Sequence, residues 1–146
     1  MRCVFFGHRD TPSEVQGALR ETVNALIEEG VRCFCVGNNG NFDLMVQTLF
    51  AELAKERADV CLGIWLSRID EIALCGDQSL TVFPEGLERT PPRFAVARRN
   101  ELMLKDATHV ICYTRHTPSY SAQWVEKAKR KGIRVINLAE QSISRV

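Results

Sequence analysis

The sequence predicts a doubly wound α/β domain, in which helices cover both faces of a mainly parallel sheet of about five strands. Short apolar runs that end in glycine or polar loops alternate with segments whose apolar residues recur every three to four positions. Strands and helices therefore alternate, and parallel neighbours need helical crossovers of this length. The chain has 146 residues, so we expect one Rossmann-like domain spanning residues 1–146.

The first half of the chain predicts three strands joined by two helices. The apolar runs that predict buried strands are 2–6, 31–36 and 59–66. The first helix is expected to begin near Thr11 and to end at Gly30, and the second is expected to cover 42–57.

The second half begins with an irregular segment from Ser67 to Pro92. Only a short helix at 68–74 and a short strand at 80–83 are expected there. The alternation then recovers, and the expected elements are a helix from Arg93 to Leu104, a strand at 109–113, a helix at 122–131 and a strand at 133–138.

The composition argues against several classes of partner. Nineteen basic and eighteen acidic side chains give a net charge of +1, so no overall field favours nucleic acid or an anionic membrane. No apolar stretch is long enough to span a bilayer. The first residues do not resemble a signal peptide, so we expect a cytoplasmic protein with reduced cysteines.

The cysteines are interpreted as packing residues. Cys3, Cys33, Cys35 and Cys112 lie in apolar runs, where a thiol acts as a small hydrophobe. Cys33 and Cys35 would face the same side of a strand at roughly 6.5 Å, near the upper limit for a disulfide, so core packing is the better interpretation. A zinc site would need a second pair at metal spacing, and we expect no metal and no cofactor.

Ligands of open parallel sheets bind outside the carboxyl ends of the strands, and the loop after the first strand is the first candidate. Gly7 permits close approach of the backbone, and Arg9 is suited to pair with a phosphate or a carboxylate. His8 is a candidate ligand contact or general acid. The alternative is a surface turn in which Asp10 pairs with Arg9.

The loop after the second strand, residues 37–43, is the second candidate. Its glycines and asparagines allow left-handed backbone angles that aim successive amides at one point, and such a nest at a helix start attracts phosphate. The candidate ligand-binding residues are Gly37, Asn38, Asn39, Gly40 and Asp43. The alternative is that Asn41 or Asp43 only caps the helix. The loop contains neither a P-loop nor a GxGxxG motif, so neither motif can be claimed.

Two further segments complete the set. Arg99 and Asn100 follow Arg98 inside a predicted helix, where adjacent residues point about 100 degrees apart, so only one arginine is expected to face the interior. The loop before the next helix contributes Arg115, Ser119 and Ser121, which together with the helix amides are suited to receive a phosphate. The alternatives are a solvated arginine face and a serine that only caps the helix.

These segments together resemble the SLOG superfamily, the Rossmannoid group that includes LOG phosphoribohydrolases, the DNA-processing protein DprA and small bacterial YpsA-like proteins. The motifs are FFGHRD, VGNNGNFD, FPEGLERTPPRFAVARRNELM, and CYTRH followed by AKRKGIRVINL. The resemblance covers nearly the whole chain and is closest to a small uncharacterised bacterial subgroup. It implies that the four segments converge on a nucleotide or nucleotide-derived ligand.

The chain departs from the phosphoribohydrolase motif Pro-Gly-Gly-x-Gly-Thr-x-x-Glu. When this motif is aligned with the chain from Pro118, only that proline and Glu126 match it. Residues such as Tyr120 replace the glycines that approach phosphate. The resemblance implies that Glu126 assists glycosidic cleavage. The alternative is an ordinary glutamate on an exposed helix turn.

Three functions remain open from the sequence. The leading hypothesis is a domain that binds or senses a small phosphate-bearing ligand of nucleotide type. The second is an N-glycosidic hydrolase of a nucleoside monophosphate, in which Arg99 steadies the phosphate and Glu126 or His8 assists. The third, single-stranded DNA binding of the DprA kind, is disfavoured by the neutral charge. Association of identical chains is compatible with the sequence, but no residue specifies it.

Overall fold

The computed structural model describes residues 1–68, 80–115 and 119–140. The strands in these ranges are β1 (Arg2–Gly7), β2 (Cys33–Val36), β3 (Cys61–Trp65), β4 (Leu80–Val82), β5 (His109–Tyr113) and β6 (Arg134–Asn137). The helices are α1 (Gln16–Glu28), α2 (Asn41–Leu53), α3 (Pro92–Leu104) and α4 (Tyr120–Arg130). Residues 69–74 of the expected short helix lie outside the described residues, as does Pro118. None of the four helices combines the length and apolar character required to cross a bilayer.

The six strands form one parallel sheet in the order β4-β3-β2-β1-β5-β6. From β1 the chain moves outward through β2 and β3 to the short strand β4, and it then returns to pair β5 with the other side of β1. The strand order therefore reverses between β1 and β5, which is where doubly wound sheets bind their ligands. The predicted fold class is confirmed, with six strands where about five were expected.

Helices cover both faces of this sheet, and the alternation of side chains in β1 shows how. Cys3 and Phe5 point into the core formed with α1 and α2, while Val4 and Phe6 point into the core formed with α3 and α4. Phe6 stacks on Trp124 of α4 with 6.2 Å between ring centroids. Each fully buried large apolar side chain contributes roughly 1.5–3 kcal/mol, so the two apolar faces hold the layers together.

The cysteines only partly follow the sequence interpretation. Cys3, Cys35 and Cys112 are buried, and burial raises the pKa of each thiol. Cys33 is exposed, so its interpretation as a core residue was wrong. Cys33 is the first residue of β2, and the buried part of that strand begins only with the residue after it.

Candidate functional site

A cavity of about 290 Å³ lies at the carboxyl edge of the sheet, beside the point where the strand order reverses. Its walls come from the end of β1 and the following loop, the loop before α2, the inner side of α3 and the first turns of α4. Nine of the residues predicted to bind ligand line it: Gly7, His8, Arg9, Gly37, Asn39, Asp43, Arg99, Asn100 and Ser121. The volume lies near the lower end of the range typical of small-molecule pockets.

Arg99 forms the cationic part of the wall. Its side chain is buried with 3% exposure, whereas Arg98 is exposed and pairs with Glu101 at 3.2 Å. The expectation that only one of the two arginines faces the interior is therefore confirmed. Arg99 donates from Nη1 to Oδ1 of Asn39 at 2.7 Å, and from Nε and Nη2 to Oδ1 of Asn100 at 3.2 and 3.0 Å. These two amides orient the guanidinium, whose charge also acts on the buried carboxyl of Asp43.

Glycines bring the loop before α2 close to both arginines of the cavity. A Cβ at Gly37 would lie 2.8 Å from Nη2 and 2.9 Å from Cζ of Arg99, so a side chain there would displace the guanidinium. Gly40 has a φ of +111°, and a Cβ there would lie 2.7 Å from Cα of Arg9. The amide of Asn41 donates to the carbonyl of Arg9 at 3.0 Å, so the loops after β1 and β2 pack backbone against backbone.

Asp43, in the first turn of α2, holds this loop in place. Its carboxylate accepts a hydrogen bond from the amide of Asn39 at 2.8 Å. Because Asn39 precedes Gly40, the N-cap of α2, this bond fixes the loop and does not cap the helix. Burial raises the pKa of Asp43 to about 6, although the Asn39 hydrogen bond and the charges of Arg99 and Arg9 oppose the rise. Gly40 is the N-cap of α2 and provides no side-chain cap.

His8 joins the loop after β1 to the loop after β5. Its ring is buried, and Nε2 accepts a hydrogen bond from the amide of Arg115 at 2.8 Å. This contact holds the imidazole ring against the loop after β5. Arg9 and Asp10 are both exposed at the cavity, and in the described part of the chain no ion pair joins them, in contrast to the surface-turn alternative.

The two serines at the start of α4 have structural hydrogen bonds. The hydroxyl of Ser119 accepts from the amide of Ala122 at 3.1 Å, so Ser119 is the N-cap of the helix. Ser121 lines the cavity, and its hydroxyl donates to the carbonyl of Gly7 at 2.8 Å. This bond ties the first turn of α4 to the end of β1 and fixes the distance between two walls of the cavity.

The apolar part of the wall was missed by the sequence interpretation. Its residues are Phe5, Phe6, Val96, Met103, Tyr120 and Trp124. Trp124 is 4% exposed and makes an edge contact with Tyr120, whose ring is half exposed. Tyr120 and Trp124 are four residues apart on one helix face, and this spacing is the signal that could have identified them. The cavity thus combines a cationic part with an aromatic part.

Five predicted residues do not line the cavity: Asn38, Gly40, Arg115, Ser119 and Glu126. The amide oxygen of Asn38 accepts from Gln47 at 3.1 Å, and Arg115 contributes its backbone amide while its side chain is exposed. Glu126 is exposed on α4, where its carboxylate lies 3.6 Å from the ammonium of Lys129. The geometry therefore gives no support to a catalytic role for Glu126.

No protein-family model matches this chain, and no curated protein matches it. Within residues 1–68, 80–115 and 119–140, no three or more His, Cys, Asp or Glu side chains are placed to hold a metal ion. What the cavity binds is therefore inferred from the residues of the cavity itself.

Proposed function

We propose that the cavity binds a nucleotide or nucleotide-derived ligand through its phosphate, and that the protein serves as a binding or sensing domain. The observation that carries the proposal is the buried guanidinium of Arg99, which two neutral amides hold against Gly37 in the cavity wall. Burying a charge is costly, so a guanidinium placed in this way is typical of a site that receives an anion.

The phosphate has further favourable contacts in this part of the cavity. A guanidinium binds two phosphate oxygens through parallel hydrogen bonds, so a phosphate bound by Arg99 would be held strongly and in a defined orientation. Arg9 adds a second cation at the cavity, where its charge, like that of Arg99, acts on the carboxyl of Asp43.

The aromatic part of the cavity is suited to the base. Tyr120 is half exposed and lines the cavity beside Trp124, so one face of its ring is available to a planar group. Stacking of a base on an aromatic side chain contributes roughly 1–3 kcal/mol. A ligand with an anionic end and a planar end therefore matches the cavity better than inorganic phosphate does. The sequence resemblance to the SLOG superfamily agrees with this ligand class.

The proposal is limited to binding. Glu126, the residue that the hydrolase resemblance implies, lies outside the cavity and pairs with Lys129. The net charge of the chain, +1, provides no overall field that favours single-stranded DNA. A small ligand is thus the better match.

Calorimetric titration with nucleoside monophosphates, cyclic nucleotides and ADP-ribose tests the proposal, and the chain provides a matched pair of variants. Arg99→Gln removes the buried guanidinium, and Arg98→Gln removes its exposed neighbour on the same helix. Because a hydrogen bond to a charged group contributes about 1.5–3 kcal/mol, we expect Arg99→Gln to weaken binding about 10- to 100-fold. Arg98→Gln should change it less than about twofold. Absence of binding by the folded wild-type protein, or equal effects of the two variants, would contradict the proposal.

A second pair of variants separates the base from the phosphate. Tyr120→Ala removes an exposed ring and should weaken nucleotide binding about 5- to 100-fold, while inorganic phosphate binding stays unchanged. Tyr120→Phe keeps the ring and should bind as the wild-type protein does. If Tyr120→Ala binds nucleotides with unchanged affinity, the base does not lie on this wall.

A further inference from the structure

Two exposed cysteines lie opposite one another at the amino edge of the sheet, at the other end from the cavity. Cys33 and Cys61 are the first residues of β2 and β3, and they are register partners in the parallel pair. The amide of Cys61 donates to the carbonyl of Arg32 at 2.9 Å, which holds the two strand starts together. Cysteine is among the most buried residue types, so two exposed cysteines on neighbouring strands are unusual.

The backbone geometry allows the two thiols to join. Neighbouring strands are about 4.8 Å apart, and disulfides form between Cα atoms about 4.4–6.8 Å apart. Cys33 and Cys35 lie on the same face of the sheet, because they are two residues apart in one strand. Cys61 lies on that face as well, because it is the register partner of Cys33.

Cys35 itself is not the reactive member of this group. Its side chain is 6% exposed, and burial raises the pKa of its thiol to about 11. Only a thiolate attacks a disulfide, so Cys35 stays protonated and out of reach of a dissolved oxidant. Among the cysteines of the described residues, Cys33 and Cys61 are the exposed pair that a small molecule can reach.

We propose that Cys33 and Cys61 form a dithiol site that a small-molecule disulfide oxidises to an intramolecular disulfide. One of the two thiolates attacks a sulfur atom of the oxidant, and a mixed disulfide forms while one small-molecule thiolate leaves. The other cysteine then attacks the protein sulfur of the mixed disulfide and releases the second small-molecule thiolate. The protein loses two protons and two electrons, and the oxidant becomes two thiols.

The test treats the native protein with glutathione disulfide and maps the products by mass spectrometry after trypsin digestion. Cleavage after lysine and arginine places Cys33 in the peptide 33–55 and Cys61 in the peptide 58–68, while Cys75 lies in the separate peptide 69–89. We expect the peptides 33–55 and 58–68 to be joined, with the loss of two hydrogen atoms per chain. Reduction should restore the free peptides.

Serine variants assign the bond and make the proposal falsifiable. Cys33→Ser and Cys61→Ser should each lose the linked peptides and retain one glutathione on the remaining exposed thiol. Cys75→Ser should form the same link as the wild-type protein. Separate glutathione adducts on Cys33 and Cys61 of the wild-type chain, or a link that involves the peptide 69–89, would overturn the proposal. Because the pair lies at the sheet edge opposite the cavity, the result does not depend on whether the cavity binds a nucleotide.

Discussion

The buried carboxyl group of Asp43 gives a pH dependence that the structure predicts in size and sign. Asp43→Asn removes the charge while its side-chain oxygen keeps an acceptor for the amide of Asn39. In the native protein burial raises the pKa of Asp43 from 3.8 to about 6, so the folded state binds this proton more tightly than the unfolded chain does. The stabilisation from this proton is therefore complete below pH 3.8 and is lost as the pH rises through 6.

The magnitude follows from the difference between the two pKa values of Asp43. Each unit corresponds to about 1.4 kcal/mol, so the free energy of unfolding of the wild-type protein loses about 3 kcal/mol from this group once the carboxyl is fully ionised. The Asp43→Asn variant has no such titration. Its free energy of unfolding relative to the wild-type protein should therefore rise by about 2–3 kcal/mol between pH 4 and pH 7.

Urea denaturation of the two proteins at pH 4, 5, 6 and 7 measures this difference. Asp10→Asn is the control, because Asp10 also lines the cavity but is exposed. A constant difference for Asp43→Asn would refute the reasoning, because the carboxyl group would then not be buried as the structure places it.

Three further substitutions, two of them with a comparison variant, test the structure in and around the site. Gly40→Ala should lower the free energy of unfolding by about 1–3 kcal/mol or more in urea denaturation, because φ is +111° and the new Cβ meets the backbone of Arg9. Gly17→Ala is its control, since a Cβ there meets nothing within 4 Å inside α1, and it should stabilise by about 0.5–1 kcal/mol. Ser119→Ala should lower the free energy of unfolding by about 1 kcal/mol in the same assay, because the N-cap of α4 is lost. Ser119→Asp keeps an N-cap side chain and should therefore be as stable as the wild-type protein. Glu126→Ala should change the free energy of unfolding by less than about 0.5 kcal/mol and should leave the nucleotide affinity measured by calorimetry unchanged. A large loss of affinity would show that Glu126 contributes to the site.

The fold could be predicted from the sequence because the period of the apolar residues is a local property. The strand at 109–113 was predicted with the bounds that the structure shows, and the expected order of the other described elements also holds. The predicted ends of strands were less accurate where a run of apolar residues extends past the sheet. The strand expected at 31–36, for example, begins only at Cys33 in the structure. Hydrophobicity alone does not show where a strand leaves the covered part of the sheet.

The cavity could be predicted in part, because the carboxyl ends of parallel strands meet at one edge. That rule predicted Gly7 and Gly37 at one edge of the sheet, the resemblance to the SLOG superfamily added Arg99, and all three line the cavity. The partners of Arg99 could not be predicted, since Asn39 is sixty residues away and the choice between two adjacent arginines depends on how α3 is rotated. The aromatic wall was missed because Trp124 matches an ordinary core residue when it is read within its own helix.

A crystal structure of the protein grown with the tightest nucleotide of the calorimetric panel tests the proposed binding most directly. We expect a phosphate oxygen about 2.7–2.9 Å from the guanidinium of Arg99, and the base against the ring of Tyr120. A nucleotide bound away from Arg99, with the cavity free of it, would contradict the proposed function.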